Sequence, residues 1–126
     1  MNWVSAQEVI GFHDRLLTLL PGIPGMPDPE RAEAIIHRVQ NQLYYENVTD
    51  IYALAAIYLV AIARGHIFND GNKRTAFFVA MVFLNRNGIA IRDEDDELEE
   101  LTVSAATGAV TPDQVAAVLR RLSLSS

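Results

Sequence analysis

Nine consecutive residues, His66-Ile67-Phe68-Asn69-Asp70-Gly71-Asn72-Lys73-Arg74, bring together a candidate base, a carboxylate, a glycine and two cations. The latter half of this run falls at the predicted start of a helix. Unpaired backbone N–H groups and the positive end of the helix dipole make such a place an anion site. Gly71 lets the backbone come close to a phosphate. Lys73 and Arg74 add positive charge at the same point, and a guanidinium can grip two phosphate oxygens at once. Gly71, Asn72, Lys73 and Arg74 therefore read as a polyphosphate cradle. Two cations at a helix start work against the dipole, which makes a purely structural explanation harder. The cradle is not a Walker loop, because the chain contains no Gly-x-x-x-x-Gly-Lys-Ser/Thr run.

A carboxylate beside such a cradle is repelled by phosphate unless a cation lies between them. Asp70 is thus a candidate Mg²⁺ ligand, with waters and phosphate oxygens completing the shell. His66 stands four residues earlier, on the loop entering the cradle. Imidazole as a class takes up a proton near neutral pH, which suits deprotonating a hydroxyl that attacks phosphorus. Positioning, charge neutralisation and a base are what phosphoryl transfer requires. Phe68, between them, is expected to anchor the loop in the core, and Arg64 either assists phosphate binding or caps a helix end. Taken singly, a histidine after a helix or an Asp-Gly-Asn turn has a bland structural reading; the joint pattern favours function.

The elements that must position these residues are legible as helices. Ser5 and Glu8 form a capping-box pattern, followed by Val9, Ile10, Phe12, His13, Leu16, Leu17 and Leu20 at helical spacing, and Pro21-Gly22 stops the helix. After a loop rich in proline and glycine, Asp28 as N-cap and Pro29 open a second helix to about Tyr45. Thr49-Asp50 caps a third, Ile51 to Gly65, apolar enough to be buried on most of its circumference. A fourth runs from Lys73 to Asn87 and ends at Gly88, a fifth from the acidic stretch to Thr107 before Gly108, and a sixth from the Thr111–Gln114 capping box to about Leu122. The Leu98, Leu101, Val115, Val118, Leu119 and Leu122 set is expected in the core. Ile89-Ala90-Ile91 could pair briefly, so the class is all-α with at most one short strand.

At 126 residues the chain fits one domain, residues 1–126, with ordinary globular composition. A net charge of −6 argues against direct nucleic-acid binding. The absence of cysteine excludes thiolate nucleophiles and disulfides. No stretch reaches the length of a membrane span and the N-terminus lacks a signal pattern, so a cytoplasmic location is expected. His13, His37 and His66 are scattered, which speaks against a zinc hydrolase.

The run His66-x-Phe68-x-Asp70-Gly71-Asn72-Lys73-Arg74 resembles the signature of the Fic/Doc family, Doc branch. The likeness extends through Pro24-Gly25-Met26, Ala32-Glu33-Ala34-Ile35-Ile36, Ala63-Arg64-Gly65 and Phe83-Leu84-x-x-Asn87-Gly88. It implies a compact Fic-type bundle of about six helices, with His66 as base, Asp70 holding Mg²⁺, and Gly71 to Arg74 binding the phosphates of ATP. Relative to the broader pattern His-Pro-Phe-x-x-Gly-Asn-Gly-Arg-x-x-Arg, Ile67 replaces proline, Lys73 replaces glycine and Phe77 stands in place of the second arginine. Members with the broader pattern transfer AMP. Doc-like members transfer the γ-phosphoryl group, so the resemblance implies a toxin kinase acting on a threonine of elongation factor Tu and halting translation.

Two other readings remain: an AMP-transferring enzyme, opposed by Lys73 and Phe77, and a catalytically silent antitoxin-binding module, opposed by the presence of both His66 and Asp70. The family's inhibitory motif Ser/Thr-x-x-x-Glu-Gly/Asn is missing, its nearest match ending at Glu46-Asn47 with Gln42 in place of the hydroxyl residue. The resemblance therefore implies restraint by a separate Phd-type antitoxin, whose disordered C-terminal segment folds on a groove of the toxin. Seven acids between Asp93 and Glu100 read as a solvated helix start, with a docking patch for a basic segment as the sharper alternative. Tyr44 and Tyr45 are expected to be buried, or to belong to a target-clamping flap.

Overall fold

The computed structural model describes residues 2–19, 21–26, 29–46, 49–92 and 96–124; the side chains of 29 and 43–46 lie outside that description. Among the described residues six helices follow in order: α1 (Ala6–Leu19), α2 (Pro29–Glu46), α3 (Ile51–Arg64), α4 (Asn72–Arg86), α5 (Glu97–Thr107) and α6 (Pro112–Leu122). The fold is all-α, as expected. Among the described residues the extended pairing consists of one antiparallel bridge, Ile91 with Ser123, at the place where a brief strand was anticipated. None of the described helices is long and apolar enough to cross a membrane.

The helix boundaries follow from local chemistry. At α1 the Glu8 N–H donates to Ser5 Oγ and the Ser5 N–H to Glu8 Oε1, both at 3.1 Å, which satisfies two donors that a helix start otherwise leaves open. Thr111 and Gln114 do the same for α6, with Pro112 at the first helical position. The Asp50 carboxylate accepts the Tyr52 N–H at the start of α3. Gly108 closes α5 in the left-handed conformation, φ 84°. The Asp28 cap, Asn47 and the acids at 93–95 lie outside the described residues, as do the side chains of Tyr44 and Tyr45. The remaining acids behave as a helix start: Glu97, Glu99 and Glu100 occupy the first turn of α5.

α3 is the hub. It packs against α2, α4, α5 and α6, while α1 lies on α4 and α2. Its apolar composition meets this demand, with Leu54, Ala55, Ala56, Tyr58, Leu59, Val60, Ile62 and Ala63 all buried. Leu98, Leu101, Val115 and Leu119 are buried with them, and Val118 and Leu122 pack at the margin. The loop joining α3 to α4 carries the motif, so both of its ends are anchored in buried helices. Ile67 and Phe68 sink into the core between those ends.

The far end of α4 is fastened differently. The Asn2 N–H donates to Asn87 Oδ1 and the Asn87 Nδ2 to the Asn2 carbonyl, each at 3.0 Å. Arg86 donates to the Trp3 carbonyl and pairs with the Glu8 carboxylate. The buried Tyr58 hydroxyl donates to the Val4 carbonyl at 2.9 Å and accepts the Val4 N–H at 3.1 Å.

Candidate active site

The motif loop turns sharply at two points. His66 has φ 50° and Gly71 φ 80°, both in the left-handed region. Glycine takes that conformation without a steric penalty, whereas a histidine there carries strain on the order of 1–3 kcal/mol that its surroundings must hold. α2 supplies the hold at His66, where Arg31 Nη1 donates to the His66 carbonyl at 3.0 Å. The His66 ring itself is exposed. Gly71 is the N-cap of α4 and offers no capping side chain, so among the described residues the first turn of α4 has no side-chain cap on its backbone N–H groups.

Asp70 lies at this helix start. Its Oδ1 accepts the Gly71 N–H at 2.8 Å and its Oδ2 accepts the Ile23 N–H at 3.0 Å. Those two bonds, Ile23 foremost, hold the carboxyl below the usual aspartate range, with the positive charge of Arg74 adding to the effect. An acid oxygen that accepts one N–H retains lone pairs for a further partner.

The segment Pro21–Met26 forms a second wall that sequence reasoning had treated only as a loop. Besides Ile23, it receives the Asn69 N–H at the Gly25 carbonyl (3.0 Å), the Asn69 Nδ2 at the Pro24 carbonyl (3.2 Å) and the Arg74 Nη2 at the Pro21 carbonyl (3.1 Å). Gly22 sits so tightly here that a Cβ would stand 2.6 Å from Leu17 Cδ2, 3.2 Å from Asp70 Oδ2 and 3.4 Å from Arg74 Nη2. Asp70 and Arg74 thus flank one glycine. The signal available in the sequence was the Pro24-Gly25-Met26 likeness.

Phe68 is 3% exposed and its ring stacks on that of His13, centroids 3.6 Å apart, with the planes 3° from parallel. Asn72 uses its carboxamide within the loop: Oδ1 accepts the Phe68 N–H at 3.1 Å and Nδ2 donates to the Phe68 carbonyl at 2.9 Å. It braces the motif through its side chain, leaving only its backbone to the cradle. Arg64 goes elsewhere as well. Its guanidinium lies against Gly108, 3.6 Å from where a Cβ would be, at the C-terminal end of α5. A cation there is favoured by the dipole of α5, a different helix from α3, whose last residue is Arg64.

Lys73 and Arg74 line a cleft of about 570 Å³ together with Leu16, Phe77, Phe78, Asp96, Glu99, Thr102 and Val103. The cleft joins a cationic end, next to the start of α4, to an apolar floor and an acidic rim from α5. Phe78 and Val103 are substantially exposed within it. Among the described residues no three His, Cys, Asp or Glu side chains converge as a metal cage. A lone carboxylate fits Mg²⁺, which keeps most of its waters and takes further oxygens from substrate phosphates.

The likeness read from the motif is matched by comparison with known proteins. The family described as Fic/DOC matches residues 3–84. The chain is similar to the protein named Protein kinase doc of Escherichia phage P1, 53% identical over 122 residues, covering 97% of this chain and 96% of that protein. It is also similar to Toxin Doc of Mycolicibacterium smegmatis, 37% identical over 90 residues and 69% of each chain. With its motif on the α3–α4 loop, Asp70 at an uncapped helix start and two cations lining the adjoining cleft, the chain belongs to the Fic/DOC family.

Proposed function

We propose that this protein is a toxin kinase that transfers the γ-phosphoryl group of ATP to a hydroxyl of a protein target. The observation that carries the reading is the start of α4, an uncapped helix N-terminus flanked by Asp70, Lys73 and Arg74 and opening on a cleft wide enough for part of a nucleotide. Backbone N–H groups, the ammonium of Lys73 and the guanidinium of Arg74 bind and neutralise the phosphates. Asp70, ionised under the pull of its two backbone donors, would hold Mg²⁺. When bound, that ion supplies charge neutralisation between the phosphates and the carboxylate. His66, exposed at the loop's entrance, takes the proton of the incoming hydroxyl.

Phe77 favours phosphoryl over adenylyl transfer. It lines the cleft as an apolar wall where the AMP-transferring pattern would place an arginine to fix the distal phosphates. The names of the two relatives, one a kinase and one a toxin, support the same reading. The resemblance further points to a threonine of elongation factor Tu as target and to a Phd-type antitoxin as partner. The same cleft, with exposed Phe78 and Val103 beside Asp96 and Glu99, suits an amphipathic antitoxin helix bearing basic residues.

The reading is tested with ATP labelled at either the γ or the α phosphorus, in a translation-competent lysate with Mg²⁺. Label from the γ position on one protein band, absent with His66→Ala, is the expected result. Label from the α position would replace kinase chemistry with AMP transfer.

A further inference from the structure

His13 is 1% exposed on the buried face of α1. An imidazole removed from water needs partners for its ring nitrogens, and those of His13 are informative. Its Nε2–H donates to the backbone carbonyl of Asp70 at 2.7 Å, while Nδ1 lies 3.2 Å from Asp14 Oδ1. Its face covers Phe68, and Gly71 approaches so closely that a Cβ would stand 3.4 Å from His13 Cδ2. One buried side chain of α1 thus touches Phe68, Asp70 and Gly71, three residues of the motif loop.

The consequence follows from the planarity of the peptide bond. The Asp70 carbonyl and the Gly71 N–H point in opposite directions within one rigid plane, so a bond that fixes the oxygen also fixes the N–H. That N–H is donated to Asp70's own Oδ1. The direction of the peptide therefore sets the direction of the carboxylate, and the Ile23 N–H holds the other oxygen.

We propose that His13 is a positioning residue: its Nε2–H bond to the Asp70 carbonyl orients the Asp70–Gly71 peptide and, through the Gly71 N–H, aims the Asp70 carboxylate at the start of α4. Its effect on catalysis rests on the phosphoryl-transfer reading above; its effect on the loop does not.

Two substitutions separate the donor from the shape. His13→Phe keeps a flat ring on Phe68 and removes the donor, while His13→Gln keeps an N–H at similar reach. Amide hydrogen exchange at Gly71 and Ile23 reads the two bonds to the carboxylate, with the Val4 amide, bonded to Tyr58, as reference. In His13→Phe, exchange at Gly71 and Ile23 should accelerate roughly tenfold while Val4 is unchanged, and His13→Gln should restore most of the protection. The Mg²⁺ concentration giving half-maximal transfer should rise in His13→Phe and recover in His13→Gln. Unchanged exchange at Gly71 and Ile23 in His13→Phe overturns the proposal, as does equal acceleration in both variants. His13→Met replaces the phenylalanine variant if the latter fails to fold. A wild-type protein that transfers no phosphoryl group refutes the functional reading, and the exchange data still decide the role of His13.

Discussion

At the C-terminal end of α4 residues 2–8 are fastened by reciprocal Asn2–Asn87 bonds, an Arg86–Glu8 pair and a tyrosine hydroxyl that both donates to and accepts from Val4. At the N-terminal end of the same helix, the motif loop holds a histidine at positive φ, an uncapped set of backbone donors and two cations lining an open cleft. One end consumes its polar groups internally; the other spends internal bonds only on bracing and keeps binding capacity for a ligand. The difference separates residues that hold the fold from residues to which the proposed function assigns the chemistry, and substitutions at the two ends should divide accordingly.

The largest effects belong to the motif. His66→Ala should lower kcat by about 10²–10⁴-fold, the scale of a lost general base, with little change in melting temperature because the ring is exposed. Asp70→Ala should abolish Mg²⁺-dependent transfer. Retained metal-dependent turnover in that variant would place the ligand elsewhere. At the opposite end, Tyr58→Phe leaves the buried Val4 N–H and carbonyl without their partner, and should cost about 1–3 kcal/mol of stability by denaturant titration while specific activity stays near wild type.

Gly22→Ala tests the seam between the two walls of the site. Its Cβ collides with Leu17 and crowds the Asp70 carboxylate, so activity should fall more than stability does. A variant with wild-type kcat would show that the Pro21–Met26 wall is not part of the working site. The smallest effect concerns Glu8, whose carboxyl is held down from 4.5 to about 2, chiefly by its hydrogen bond from Arg86. The folded pKa lies below the unfolded one, so this stabilisation is full above about pH 4.5 and is lost as pH falls toward 2. The pair is partly exposed and contributes only about 0.2–1 kcal/mol. Glu8→Gln should flatten the acid limb of the stability curve in that window without altering activity at neutral pH.

Much of this architecture was legible because it is encoded locally. The Ser5–Glu8 and Thr111–Gln114 capping boxes, the Asp50 cap and the glycine at 108 are short-range patterns, and the structure shows each as expected. The six helices and the brief pairing at Ile91 were legible for the same reason. What the sequence concealed depends on contacts across 47 to 57 positions, such as Ile23 with Asp70 and His13 with Asp70. His13 fitted the apolar stripe of α1 and was read as part of it, because helical periodicity reports burial without reporting what a side chain meets. Asn72 and Arg64 show a related limit. Their types suit phosphate binding, yet the carboxamide of one closes on the Phe68 backbone and the guanidinium of the other settles beside Gly108.

The most direct test of the central claim is the intact mass of purified elongation factor Tu after incubation with this protein, ATP and Mg²⁺, with His66→Ala as the blank. The account predicts a gain of one phosphoryl group with the wild-type protein and none with the variant. A gain of one adenylyl group, or an equal gain with His66→Ala, would contradict it.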